Sequence, residues 1–227
     1  MFPIGVITAL ESEAKCLQGV ANTNDFININ SGIGPDAANT GAQSAFDAGC
    51  RSLVSFGYAG ALNTGLKPGD LLVGVSVSNG KLTLESEPLM VSQLTSVLKS
   101  GSDLVALESS LLSTSAITDT VSEKASRRAE GAWDAVDMES YSIASVAAQQ
   151  NLPFLIVRAV LDTAVMELPA EINSLIDANG LTRPAAALAA VVNNPKLISD
   201  LAILARNRRK ADQTLRGVVP FLVRAFT

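Results

Sequence analysis

Histidine is absent from this 227-residue chain, and that lack removes whole classes of chemistry. Serine and cysteine nucleophiles activated by an imidazole are excluded. So are His-ligated zinc sites, including those of metalloproteases and zinc nucleobase deaminases. Acid–base work therefore falls to carboxylates, with Lys, Tyr or Cys as substitutes. Cysteine is scarce: Cys16 and Cys50 do not make a secreted disulfide framework and read as small buried hydrophobes in a reducing compartment. Aromatics amount to 4 % against 48 % apolar residues. The core must be built from Ala, Val, Leu and Ile, as in sheets covered by helices on both faces. Positive charge is in deficit, with a net charge of −5, which argues against a nucleic-acid partner and its basic footprint. No run reaches the ~18–20 continuous apolar residues of a membrane span. Met1-Phe2-Pro3-Ile4 has no basic n-region or cleavage pattern, so the expected location is the cytoplasm.

What is present is an alternation of strand-like and helix-like runs. Strands are predicted over 4–9, 25–29, 53–56, 71–75, 111–115, 135–138 and 154–160, the fourth entered by the turn Lys67-Pro68-Gly69-Asp70. The third is expected to break at Gly57-Tyr58-Ala59-Gly60. Helices are predicted over 11–17, 36–47 (with Pro35 in the first turn), 90–98, 123–130 and onward from 139 through Gln149. The remainder reads as helix broken at Pro184 and Pro195. Residues 1–227 are expected to form one domain with a helical tail from about residue 184. Such alternation implies α/β architecture: a three-layer α/β/α unit around a central, largely parallel, mixed sheet. Functional groups in such folds collect at the carboxyl ends of strands, here after Ala9, Phe56, Val136 and Val160.

Phosphate-loop signatures fail. Gly32-Ile33-Gly34 lacks the third glycine of a dinucleotide fingerprint, and Gly80-Lys81 is followed by Leu82 where Ser or Thr is needed. Gly32-Ile33-Gly34 reads as a turn, although its amides precede a helix N-terminus where anions and hydroxyls can be met. The acids are more informative: Glu11 and Glu13 follow the first strand, Asp137 and Glu139 another, and Asp162 the most strand-like run. Singly, each reads as a helix cap or solvated first-turn acid. Three acid clusters at three strand ends point to one convergent site.

Five segments occur in order: Val6-Ile7-Thr8-Ala9-Leu10-Glu11-Ser12-Glu13, Ser31-Gly32-Ile33-Gly34, Gly57-Tyr58-Ala59-Gly60-Ala61-Leu62, Val136-Asp137-Met138-Glu139-Ser140 and Val157-Arg158-Ala159-Val160-Leu161-Asp162. Together, over residues 4–165, they resemble the nucleoside phosphorylase and methylthioadenosine/adenosylhomocysteine nucleosidase superfamily. Asp137-Met138-Glu139-Ser140, Leu168-Pro169, and a helical tail with Asn194-Pro195 and residues 211–215 are most similar to its hopanoid-associated branch. Members of that branch are thought to remove adenine from adenosylhopane. The resemblance implies that Glu13 orients or deprotonates the attacking water and Arg158 helps position it. It also implies that Met138 and Glu139 hold the ribose and that Asp162 protonates or hydrogen-bonds N7 of the departing purine. Asp137, Gly60 and Tyr58 join the expected substrate-binding set, with Ala116 and Ile117 near the purine. No cofactor or metal is implied. The expected partners are a small-molecule or lipid-linked adenine nucleoside and a second copy of the chain, as a homodimer.

The chemistry agrees: cleaving a ribose–purine bond needs one carboxyl as acid and another to handle water. Water is preferred to phosphate, because Ser55 stands where phosphorylases of the superfamily commonly carry arginine. Tyr58, where many relatives have Ser or Thr, either reshapes the water site or simply packs, and Leu161 stands where Ser is usual. The segment after residue 75 is short and leaves the 5′ side open, which suits a bulky hydrophobic substituent. The tail, Arg206-Asn207-Arg208-Arg209-Lys210 followed by Val218, Val219, Phe221, Leu222, Val223 and Phe226, is either a membrane-resting helix or a helix whose apolar face completes the core. The alternatives to an adenosylhopane nucleosidase are a methylthioadenosine/adenosylhomocysteine nucleosidase, a phosphate-dependent phosphorylase, and a nucleoside-binding protein that has lost catalysis.

Overall fold

Strands and helices alternate through most of the chain, in a computed structural model that describes residues 3–18, 25–169, 194 and 197–226. In order they are β1 (Ile4–Thr8), α1 (Glu11–Ala14) with a 3-10 turn (Lys15–Leu17), β2 (Phe26–Asn30), α2 (Pro35–Asp47), β3 (Ser52–Ala61), β4 (Leu71–Ser78), β5 (Thr83–Glu85) and α3 (Pro88–Gly101). There follow β6 (Ala106–Ser113), α4 (Val121–Gly131), β7 (Ala135–Asp137), α5 (Ser140–Gln149), β8 (Phe154–Asp162) and α6 (Leu197–Phe226). The longest strands, β3 and β8, show almost no alternation of buried and exposed residues. That is the mark of strands covered on both faces.

The sheet is mixed. β1 lies parallel to both β2 and β3, and β3 is parallel to β8. β8 runs antiparallel to β4, which is parallel to β6, and β6 is parallel to β7. β7 then returns antiparallel to the end of β3 through Gly60↔Val136 and Ala61↔Ala135. Five strands, β3, β8, β4, β6 and β7, thus close on themselves, while β2 with β1 and the short β5 extend from that ring. Helices cover both faces. On one, Ala38, Ala42 and Ala45 of α2 and Ile143, Ala144 and Ala147 of α5 pack with Ile7, Leu53 and Ile156. On the other, Leu94 and Leu98 of α3 and Leu215, Val218 and Leu222 of α6 pack with Val54, Phe56 and Val157. This is the expected three-layer α/β/α arrangement.

Three local expectations change. β3 does not break at Gly57 but continues to Ala61, with a bulge between Ala59 and Gly60. Its glycines make room for buried side chains instead of turning the chain. β6 starts at Ala106, before the predicted 111–115, because Glu108-Ser109-Ser110 conceals a strand beneath polar residues. β5 was not foreseen; it is three residues long and, among the described residues, pairs only with β4. The helix breaks expected at Pro184 and Pro195 lie outside the described residues. At the tail, Leu215, Val218, Val219 and Leu222 are in the core, so this apolar face completes the fold, and the charges of 208–210 are exposed. Among the described residues no helix is long and apolar enough to cross a membrane. Cys16 and Cys50 are buried free thiols.

Candidate active site

The carboxyl ends of β1, β3, β6, β7 and β8 meet around a cavity of about 380 Å³. Glu13, Tyr58, Gly60, Ala116, Ile117, Asp137, Met138, Glu139 and Asp162, singled out in the sequence, all stand on its wall. Arg158 is behind the wall, 1 % exposed. The far side is supplied by Leu168 and by Leu201, Leu204, Ala205 and Arg208 of α6, residues that sequence reasoning did not assign to the site.

Glu13, on α1, is 2 % exposed, and backbone amides fix its carboxylate. Oε2 accepts from Ala9 N at 2.9 Å and Leu10 N at 2.8 Å, and Oε1 from Tyr58 N at 2.8 Å. Burial pushes its pKa above the ordinary carboxylate value, with Arg158 and the three amides pulling against that. Gly57 must lack a side chain here, because a Cβ would overlap Glu13 Oε1 and stand 2.5 Å from Arg158 Nη1.

Arg158 organises the layer beneath. Its Nη2 reaches Ser55 Oγ at 2.7 Å, Asp137 Oδ2 at 3.0 Å, Ser140 Oγ at 3.1 Å and Glu139 Oε2 at 3.7 Å. Nη1 donates to Tyr58 O at 3.3 Å. Asp137 is similarly committed: besides Arg158 it accepts from the hydroxyls of Ser113 and Ser140 and from the amides of Glu139 and Ser140. It therefore shapes the turn that presents Met138 and Glu139.

Glu139 is freer. Its Oε1 accepts from Gly34 N at 3.0 Å. Gly34, with φ +96°, is the N-cap of α2, a conformation that glycine adopts readily. The helix N-terminus, where anions and hydroxyls can be met, thus meets the protein's own Glu139. Burial, with Asp137 and Glu13 adding negative charge, raises the Glu139 pKa to about 7 against the opposing pull of Arg158 and the Gly34 amide.

Asp162 has a partner that the sequence did not reveal. Lys124 Nζ lies 2.5 Å from Asp162 Oδ2 and also donates to Met166 O at 2.7 Å and Thr163 O at 3.0 Å. Lys124 is the buried residue of an otherwise polar α4, so helical periodicity gave no sign of it. Burial pushes the Asp162 pKa up, and Lys124 opposes the rise without cancelling it. Tyr58 also becomes clear. Its ring is buried on the cavity wall, and its phenol donates to Asp212 Oδ1 of α6, which pins the helix against the site. Burial and Asp212 push the phenol pKa up. Among the described residues no cluster of three His, Cys, Asp or Glu side chains is placed to hold a metal.

By sequence, the profile of the Phosphorylase superfamily matches residues 9–193, and no curated protein matches. By structure, the 5′-methylthioadenosine/S-adenosylhomocysteine nucleosidase of Neisseria meningitidis superposes with a TM-score of 0.76 at 17 % identity, covering 98 % of this chain and 99 % of its own. The corresponding nucleosidase of Colwellia psychrerythraea, in complex with adenine, gives 0.75 at 17 % identity, covering 99 % and 96 %. The futalosine hydrolase of Helicobacter pylori gives 0.72 at 18 % identity, covering 96 % and 97 %. Likeness at such identities establishes a common fold.

Proposed function

As the chain belongs to the phosphorylase superfamily, we propose that it is a nucleosidase that cleaves the N-glycosidic bond of an adenine nucleoside with water. The observation that carries this reading is the pair Glu13 and Asp162 on one cavity wall, in different settings. Glu13 is anchored at Tyr58, and Asp162 lies beside Gly60. Those anchors stand two residues apart on β3, so that both acids line the one cavity. Glu13, its pKa raised, accepts a proton from the water that attacks C1′. Asp162, also raised, gives a proton to N7 as the C1′–N9 electron pair moves onto the purine. Glu139 accepts hydrogen bonds from the ribose hydroxyls beside Met138.

Water is favoured over phosphate because the cation nearest Glu13 is already engaged. Arg158 is neutralised by Asp137 and Glu139, and Ser55 bonds Arg158 and Ser140. The favoured substrate is adenosylhopane, since Leu161, Leu168, Leu201 and Leu204 give the cavity an apolar side suited to a hydrophobic 5′ substituent. The test is adenine release from adenosylhopane and from methylthioadenosine, each with and without phosphate. Release from adenosylhopane without phosphate is expected. Strict phosphate dependence refutes the choice of acceptor, preference for methylthioadenosine refutes the choice of substrate, and no release from either leaves a nucleoside-binding protein.

A further inference from the structure

Resting on that nucleosidase reading, we infer that Lys124 is a positioning residue for the leaving-group acid. Its ammonium grips Asp162 by Oδ2 and stabilises the carboxylate that remains when Oδ1 gives its proton to the purine. Three features of the geometry point to this. Lys124 is 0 % exposed, so its charge is not there for solubility. Its three N–H groups each have an acceptor, Asp162 Oδ2, Thr163 O and Met166 O, which matches the full donor capacity of an ammonium. Those acceptors also hold residues 162–166 as one unit, which Leu168 N, bonding Asp119 O, ties to the approach of α4. With Oδ2 committed, Oδ1 is left for the cavity that Asp162 lines.

The proton balance is simple. The Oδ1–H bond breaks, N7–H forms, and the C1′–N9 electron pair goes to the purine. Lys124 keeps all its protons and changes only the free energy of the carboxylate left behind. Lys124 is the charged group acting on Asp162 from α4, while β3 presents Gly60. Glu13, Asp137, Glu139 and Arg158 act chiefly on one another at the β1–β7 side, and Arg208 lines the α6 side. Burial drives Asp162 toward a weak acid and Lys124 restrains it, so loss of Lys124 raises its pKa further.

The experiment is the pH profile of kcat/KM for adenine release by wild type and by Lys124→Met, Lys124→Gln and Lys124→Arg, with thermal unfolding as a check on folding. The alkaline limb reports loss of the Asp162 proton. An opposite charge at this distance lowers a carboxyl pKa by ~1–3 units, so in Lys124→Met the limb moves up by about that much. The weaker acid lowers kcat near neutrality roughly tenfold. Lys124→Gln can still bond Thr163 O and Met166 O but carries no charge, and shows the same upward shift; Lys124→Arg returns the limb toward wild type. A purely structural lysine predicts the reverse: Gln behaves like wild type, and Met loses rate with no shift. That pattern, or a Gln variant that does not fold, overturns the inference. If wild type releases no adenine, the nucleosidase reading falls and takes this one with it. If wild type is active but the Met and Gln limbs stay in place, only the role of Lys124 falls.

Discussion

Replacing Glu139 with glutamine tests the electrostatics of the site without relying on any substrate. In the folded protein Glu139 is 7 % exposed, and its carboxyl pKa is about 7 against an ordinary 4.5. Because the folded pKa is the higher one, the protonated group contributes stability that is fully present below about pH 4.5 and is lost as pH rises through 7. The gap of about 2.5 units corresponds to about 3 kcal/mol at 1.36 kcal/mol per unit. Glu139→Gln keeps an oxygen for Gly34 N and does not titrate, so it escapes this loss. The stability of the variant minus that of wild type should climb by about 3 kcal/mol between pH 4.5 and 8. Glu13 and Asp162 push in the same direction but are common to both proteins. Urea unfolding, followed by the fluorescence of the single tryptophan, Trp133, which packs against Leu62, Leu112 and Val136, would show the midpoints diverging by roughly 1 M for a slope near 3 kcal/mol per M. Midpoints that stay parallel across this range would refute the claim that Glu139 is held in a setting that resists its ionisation.

Other perturbations test neighbouring parts of the site. Glu13→Gln puts an amide nitrogen where only an acceptor suits the amides of Ala9, Leu10 and Tyr58; kcat should fall ~10²–10⁴-fold, while calorimetry shows adenine binding retained. Activity within tenfold of wild type would remove Glu13 from the chemistry. Gly57→Ala forces a methyl into Glu13 Oε1 and Arg158 Nη1, so a loss of about 1–3 kcal/mol in thermal stability is expected, together with loss of turnover. Tyr58→Phe removes the bond to Asp212, whose side chain is 24 % exposed and can be rehydrated. The expected cost is about 1 kcal/mol, with KM rising more than kcat falls because α6 loosens over the cavity; a collapse of kcat at unchanged KM would instead give the phenol a chemical role.

The parts of the molecule that could be read in advance are those where one physical cause dominates. Strands covered on both faces appear as continuous apolar runs, as in residues 154–160, and acids placed just beyond them mark the rim. Those strand ends marked Glu11, Glu13, Asp137, Glu139 and Asp162 together, and the resemblance to nucleosidases singled out Glu13, Glu139 and Asp162 among them. Gly57 and Gly60 misled because glycine signals either a turn or a close approach, and local sequence does not distinguish them; in β3 they admit Glu13 and Asp162 to the backbone. Closure of the ring was hidden because it depends on two residue pairs, Gly60↔Val136 and Ala61↔Ala135, far apart in the chain. Lys124 was hidden because a lysine on a polar helix reads as solvated, and the carbonyls of Thr163 and Met166 that bury it belong to a later loop. The wall formed by Leu201 and Leu204 depends likewise on how α6 docks through Asp212 on Tyr58.

A chain without histidine must obtain groups that titrate near neutrality from carboxyls whose natural range lies well below it. Burial supplies the rise, but burial alone would raise Glu13, Glu139 and Asp162 alike and leave no division of labour. Their partners make the difference. Glu13 faces three fixed amides with Arg158 behind, which hold its carboxylate in place and oppose the rise. Asp162 faces a buried ammonium, Lys124, which favours its anion and opposes the rise. Glu139 has a single amide and a shared arginine, and stays near the balance point. Separating the roles of similar acids by their surroundings is a general way to run acid and base chemistry together. Here Asp137 is held by five partners, Ser113 Oγ, Ser140 Oγ, the Glu139 and Ser140 amides and Arg158, and so fixes the turn on which Glu139 is set.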